Sequence, residues 1–385
     1  MVPVRYNFRS VIERRATSLM TVLGVALVAM IFIIVFGFTA GFNQSLHNAG
    51  HDRNWIVLAR GVPSENESYV PHPALEAIRT LPEVTLDGEH HALVSAESLA
   101  GVNVSRTRGA KEFALLRGVD PIAQEVHPNF RLVQGHWPIR GNGEWVVGRK
   151  VLAHYPYLTP GNGFHYGHRD WKIVGVFADN DSARESEIWT DRQDLRNERH
   201  WDQGSACLHL VINAGTAEEF AHAIRSDGRF TLEAETETEY YAGQEKVAAQ
   251  LRALGLIVAI ALGIGATFGG MNTMYTAVTR RGREIGVLRV LGFSRTDILG
   301  SFVLESAMLG VAGGVTGVML ATIIAWVTGL TSRTMSIGAM FFSYQPTVRA
   351  IVAGVAVAAV IGITGGLMPA VRASRVGITG ALREA

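Results

Sequence analysis

The sequence predicts an α-helical membrane protein with four transmembrane helices and a large α+β extracytoplasmic domain between helices 1 and 2. Three observations predict it. Charge-free windows cover 16–49, 253–279, 306–332 and 350–371, and each holds the roughly 20 apolar residues that span a hydrocarbon core. Basic residues gather ahead of the first window (Arg5, Arg9, Arg14, Arg15), between the second and third (Arg280, Arg281, Arg283, Arg289, Arg295), and after the fourth (Arg372, Arg375, Arg383). The positive-inside rule sets these segments and both termini in the cytoplasm, so the stretch 52–252, acidic on balance, lies outside. From Trp55 onward that stretch breaks into short β-branched and aromatic runs separated by GNGE and PGNG, the pattern of strands and turns.

A hydrophobic fraction of 48% and a mean hydropathy of +0.18 over 385 residues agree with this class. The net charge of +1 conceals the asymmetry. Because topology accounts for the basic segments, they give no argument for nucleic-acid binding. Cys207 is the single cysteine, so the outer domain has no internal disulfide and depends on its own core.

In chain order, 1–17 suits an amphipathic helix on the inner membrane surface, with Tyr6, Phe8, Val11 and Ile12 among arginines. The first span with its stalk covers 18–48. FTAG near Ala40 faintly resembles a signal-peptidase site, but the apolar run 19–38 exceeds the roughly 7–15 residues of a signal core, which favours an uncleaved anchor. The outer domain covers 49–239, in two lobes. WIVLAR, ALVSAE, EFALLRGV, EWVVGR, WKIVGVFA and CLHLVIN read as strands; PHPALEAIRTLPEV and TAEEFAHAIRSDG read as helices, the second capped by Thr216 with Glu219 three residues on. A proline-free helix from about Tyr241 to Val278 forms the second stalk and span (240–279); at 1.5 Å per residue it is over roughly 50 Å long, against a core of about 30 Å. Next come a cytoplasmic helix (280–294), a third span (295–330), a short outer loop (331–349), a fourth span (350–371) and a cytoplasmic tail (372–385).

Within RRGREIGVLRVLGFSRTDILGSFVLE, Ile285, Leu288 and Leu291 recur at a three-residue step and make an apolar stripe that wants a partner. The other reading is a basic amphipathic helix resting on the membrane surface. Gly292 suits the left-handed end of that helix, and Ser294 with Asp297 forms a capping box for the next.

No catalytic, cofactor or metal residues stand out. The four lysines, Lys111, Lys150, Lys172 and Lys246, neither follow a glycine nor precede Ser or Thr, so no P-loop exists in this sequence. G-x-S-x-G and H-E-x-x-H are absent, and Cys207 sits in a strand-like run as a buried structural thiol. The thirteen histidines lie between His47 and His222. His90 with His91 and His165 with His168 are the neighbours to weigh as metal ligands or pH sensors, and their loop placement without a clear acidic or cysteine companion reads as surface. Glu305 lies inside the third span, where a carboxylate needs a partner; Arg280, Asn272 and Thr276 are within reach by sequence. Gly310, Gly313, Gly314 and Gly317, like Gly265 with Gly269 and Gly362 with Gly366, make small-residue faces for packing within the chain or for a dimer.

Layout and motifs together resemble the permease subunits of MacB/FtsX-type ABC transporters, the type VII or mechanotransmission group. TRRGREIGVLRVLGFSRTDILGSFVLES is similar to the family's segment from the end of span two through its coupling helix; WKIVGVFAD and MPAVRASRVGITGALRE resemble its outer-domain strand and its tail. The resemblance implies ATPase coupling through Arg283, Glu284, Ile285, Gly286, Leu288, Leu291 and Gly292, with Glu305 at the family's acidic position near the start of span three. It also implies residence in the bacterial inner membrane, a second permease copy or paralogue, membrane lipids around the spans, and an ATP-binding cytoplasmic ATPase on a separate chain, with a periplasmic adaptor in some members. The chain itself would be non-catalytic and free of cofactor. The implied function is ATP-driven movement of the outer domain that exports or extracts a lipoprotein, peptide, lipid or drug. The alternative is a non-transporting scaffold that drives an extracytoplasmic enzyme such as a cell-wall hydrolase.

Overall fold

A computed structural model describes residues 14–107, 110–201, 204–328, 335–337 and 340–375. The chain divides into two compact units, one of 1–40, 249–331 and 345–385, the other of 41–248 and 332–344. The amphipathic helix expected at 1–17 lies, up to residue 13, outside the described residues, as does most of the 372–385 tail.

The first unit is helical. Its elements are α1 (Arg15–His47) and α7 (Glu237–Arg280), both shared with the second unit, then α8 (Gly282–Val290), α9 (Arg295–Val327) and α10 (Val348–Ser374). Among the described residues four helical stretches are long and apolar enough to cross a membrane: Arg15–His47, Arg252–Arg280, Arg295–Val327 and Val348–Ser374. Glycine sets how closely they pack. A Cβ on Gly310 would stand 2.6 Å from the Ala358 carbonyl oxygen, and one on Gly314 would meet Val355 and Ala358, all on α10. Gly313 and Gly317 turn the other way, toward Val25, Ala26 and Ala29 of α1. Thus Gly310, Gly313, Gly314 and Gly317 of α9 are taken up within the chain, as are Gly362 and Gly366, which rest on Ser306 and Gly310. Among the described residues nothing stands where a side chain on Gly265 or Gly269 of α7 would go.

The second unit is built on β1 (Asn54–Ala59), α2 (His72–Arg79), β2 (Val94–Thr107), β3 (Ala110–Val119), α3 (Ala123–Val126), β4 (Phe130–Gly135), β5 (Glu144–Gly148), α4 (Arg149–His154), β6 (Gly163–Tyr166), β7 (Arg169–Asp179), β8 (Glu187–Asp191), α5 (Arg192–Arg199), β9 (Cys207–Val211), α6 (Ala217–Ser226) and β10 (Leu232–Thr236). The strands run in the order β10-β1-β9-β2-β3-β8-β5-β7-β4, with β6 on β7; β3–β8 and β5–β7 are parallel and the other pairs antiparallel.

Strand β2 is where the two lobes meet. Val94–Glu97 pair with β9, and from Ser98 onward the same strand pairs with β3. Alternation along a strand sends every second side chain to one face. Val94 and Ala96 enter the core formed with Trp55, Leu75 and Phe220, whereas Ala100, Val102 and Val104 enter the core formed with Trp145, Trp171 and Tyr155. On the opposite face Ser95 and Glu97 are fully buried polar residues.

Three expectations need correction. Residues 331–349 are more than a short outer loop: β11 (Met335–Ile337) and β12 (Met340–Phe342) pair, and 332–344 belong to the second unit. The cause is an aromatic pair. Phe341 stacks on His154 at 4.6 Å and exchanges hydrogen bonds with Ser186 Oγ, while Phe342 meets Phe42 edge-on at 5.3 Å. The stalk helix expected from about Tyr241 begins earlier, because α7 starts at Glu237 directly after β10 and gives a helix of 44 residues, roughly 66 Å long. Thr216 occupies the N-cap of α6, but its hydroxyl donates backward to the Asn213 carbonyl and caps no helical amide.

Candidate functional site

The segment from Arg281 to Glu305 keeps its local signals. Gly292 adopts φ +95°, the left-handed ending glycine allows, and Ser294 and Asp297 form the reciprocal capping box that starts α9. The apolar stripe is laid out differently from expectation. A three-residue step turns a helix by 300°, so each step drifts 60° around the axis. Ile285 is 2% exposed, packed with Met274, Val278, Ile298 and Phe302; Gly286 is buried beside it. Leu288 is half-buried, and Leu291 is 69% exposed. The exposed apolar face is Val287, Val290 and Leu291, flanked by exposed Arg283 and Glu284. Sequence reasoning missed Val287 and Val290, although their spacing to Leu291 is the i, i+3, i+4 signal.

Glu305 is held by residues other than Arg280, Asn272 or Thr276. Arg14 Nη2 donates to Oε1 at 2.6 Å and Arg281 Nη1 to Oε2 at 3.0 Å, with the Glu305 side chain 2% exposed. Arg281 also lies 3.4 Å from Glu284. One ionic chain therefore links the start of α1, the end of α7, α8 and the interior of α9. Arg280, one residue before Arg281, is rotated by 100° and faces out.

In the second unit the structure gathers a buried ionic centre that no sequence motif announced. Arg117 of β3 grips Glu187 with Nε and Nη2 at 2.7 and 2.8 Å, and its Nη1 reaches Glu65 and Glu97, each at 2.7 Å. Burial alone lowers a guanidinium's proton affinity, but these three carboxylates outweigh it and raise Arg117 well above the ordinary range. Burial likewise pushes Glu97 up, and His209 and Arg117 beside it hold it well below the usual carboxylate range instead. Arg184 donates to Glu237 Oε1 at 2.7 Å and to the Ala49 carbonyl at 2.6 Å. Against burial, Arg184 and His209 bring Glu237 down to about 2. The centre thus joins β2, β3, β8, β9, the end of α3 and the first residue of α7.

The histidine pairs singled out by adjacency lie at the surface, and they have acidic companions that the sequence did not reveal. His91 pairs with Asp87 at 3.2 Å and His165 with Asp170 at 2.7 Å, both with imidazoles at least 66% exposed. Among the described residues, groups able to hold a metal are instead Glu65, Cys207 and His209, and His127, His209 and Glu237. Cys207 is buried, and burial together with Glu65 raises its thiol well above the ordinary range.

Two family descriptions match this chain: a MacB-like periplasmic core domain over residues 16–227 and an FtsX-like permease C-terminal region over 256–378. The chain is similar to the pyoverdine export ATP-binding/permease protein PvdT of Pseudomonas putida, at 32% identity over 54% of this chain and 27% of that protein. It is also similar to the macrolide export ATP-binding/permease protein MacB of Photorhabdus laumondii, at 27% identity over 62% of this chain and 38% of that one. It spans well under half the length of these relatives. Among solved structures, the periplasmic region of MacB from Actinobacillus actinomycetemcomitans matches 52% of this chain and 96% of that one, at 12% identity and a TM-score of 0.39. With a MacB-like core domain between its first two spans and an FtsX-like permease region after it, the chain belongs to the MacB/FtsX type of ABC transporter permease, a multi-pass inner-membrane family.

Proposed function

We propose that this chain is the non-catalytic membrane subunit of an ABC transporter in which a separate cytoplasmic ATPase docks on α8. Two copies of the chain, or one with a paralogue, pass ATP-driven closure through α1 and α7 into the outer domain, which exports or extracts a lipoprotein, peptide, lipid or drug. Both termini and α8 lie in the cytoplasm. ATP is bound outside this sequence, in which no lysine sits in a phosphate-binding context.

The observation that carries the reading is the two-faced α8. One face is fixed in the helical unit through Ile285 and Gly286, and the other presents Val287, Val290 and Leu291 between charged side chains. A helix merely resting on lipid needs no such fixed inner face; a helix that transmits force does. Arg283 and Glu284 at its rim suit an interface whose approach is steered by charge. Relatives named as pyoverdine or macrolide exporters support small-molecule export as one cargo class. The test is purification from the native membrane, with mass spectrometry of the proteins that co-purify. Recovery of an ABC ATPase with turnover only in the complex supports the reading. Turnover by this polypeptide alone, or recovery of a cell-wall hydrolase with no ATPase, overturns it.

A further inference from the structure

We infer that His127, His209 and Glu237 form a binding site for one divalent transition-metal ion of the zinc class, set where α7 begins. The three ligand atoms lie within 4.8 Å of one another, and all three side chains have 1% exposure or less. His127 Nδ1 and His209 Nδ1 lie 3.9 and 2.8 Å from Glu237 Oε1. Zinc bonds of about 2.0–2.1 Å in a tetrahedral arrangement put ligand atoms roughly 3.3 Å apart, between those two separations. An ion would open the shorter edge and draw in the longer.

The polar atoms left over point the same way. His127 Nε2 is 2.9 Å from Glu97 Oε1, so it carries the proton and Nδ1 presents a bare lone pair; that Nδ1 is buried with no hydrogen-bond partner among the described residues. Among the described residues His209 Nε2, 3.7 Å from Glu97 Oε2, also has no hydrogen-bond partner, and Glu237 Oε2 has none either. Glu97 can thus back both imidazoles from behind while their Nδ1 atoms face the ion, the carboxylate–histidine–metal arrangement that fixes ligand orientation. Arg117 in turn anchors Glu97 at 2.7 Å.

Charge balance favours a cation. Glu65, Glu97, Asp179, Glu187 and Glu237 are buried around Arg117 and Arg184, so acidic groups outnumber guanidiniums by more than two imidazolium charges would offset. Two imidazoles and a carboxylate suit zinc and its neighbours, whereas magnesium and calcium take all-oxygen sets. The other cluster, Glu65, Cys207 and His209, suits an ion less well: Glu65 Oε2 is committed to Arg117 at 2.7 Å and already faces the Cys207 thiol at 3.6 Å, whereas Glu237, whose Oε1 takes Arg184 at 2.7 Å, keeps its buried Oε2 unengaged among the described residues.

The test uses the full chain, purified in detergent without a metal-binding tag, stripped with chelator, incubated with zinc chloride and desalted. Metal content by mass spectrometry should give about one zinc per chain. Zinc-edge X-ray absorption should show two imidazoles, and His127→Ala and Glu237→Gln should each lose the ion at stoichiometric zinc while His165→Ala keeps it. A wild-type chain that retains no zinc, a spectrum without imidazole scattering, or both variants loading like wild type overturns the site. If the variants fail to fold, the wild-type stoichiometry and spectrum decide.

Discussion

Arg14 and Glu305, 291 residues apart in sequence, meet at 2.6 Å, and the second oxygen of the same carboxylate takes Arg281 at 3.0 Å. An apolar bundle tolerates this acid because two guanidiniums answer it.

Glu305→Ala is expected to lower stability by roughly 3–5 kcal/mol, the cost of leaving cations without their counter-ion where water is scarce. Glu305→Gln, which keeps shape and hydrogen-bonding capacity, should fall between wild type and Ala. Thermal unfolding in detergent measures both. Equal melting temperatures for Glu305→Ala and wild type would show the clamp to be idle.

On α8, two substitutions of the same kind should fail differently. Ile285→Asp puts a carboxylate among Met274, Val278 and Phe302 and should reduce the amount of folded chain recovered from membranes. Leu291→Asp, at an exposed position, should leave the chain folded and abolish ATPase co-purification. A pull-down in which Leu291→Asp retains the ATPase removes the coupling role.

Glycine positions should sort by partner. Gly310→Leu drives a side chain into the Ala358 carbonyl and should destabilise the chain by about 1–3 kcal/mol or more. Gly265→Leu with Gly269→Leu meets open space within the chain, so the protomer should be unchanged. If that face joins two copies, cross-linked dimer falls; undiminished dimer would place the contact elsewhere.

Lys150 is buried with its ammonium donating to Ser45 Oγ and the Asp181 carbonyl, each at 2.7 Å, and to the Ser182 carbonyl at 3.1 Å. Lys150→Met removes the donor common to three acceptors and should cost the outer domain roughly 1–3 kcal/mol. Chemical denaturation read by tryptophan fluorescence would register it, and an unchanged midpoint would show that water replaces the ammonium freely.

What the sequence makes legible is what depends on local chemistry. Windows without charge, the Ser294–Asp297 box, Gly292 and most strands were readable because each is specified by neighbours within a few residues. Glu305 shows the limit: the need for a cation came from its position, but the choice between Arg280 and Arg281 is a 100° turn of α7, and Arg14 comes from the far end of the chain. The histidines show the same limit from the other side. Adjacency drew notice to His90, His91, His165 and His168, which are solvated, while His127 and His209 stand alone in their segments and meet only because α3 and β9 converge on β2. The β11–β12 hairpin was missed because its reason, a pocket for Phe341, is built from α4 and the turn before β8.

Strand β2 has a consequence for cooperativity. Its Val94–Glu97 portion completes one lobe and its remainder completes the other, with no linker between Glu97 and Ser98. Unzipping either lobe therefore frays the ladder of its neighbour and uncovers the carboxylate that Arg117 holds at the crossing point. Although its apolar side chains gather in more than one hydrophobic core, the outer domain should melt as one foldon, with a single hydrogen-exchange free energy shared across both lobes.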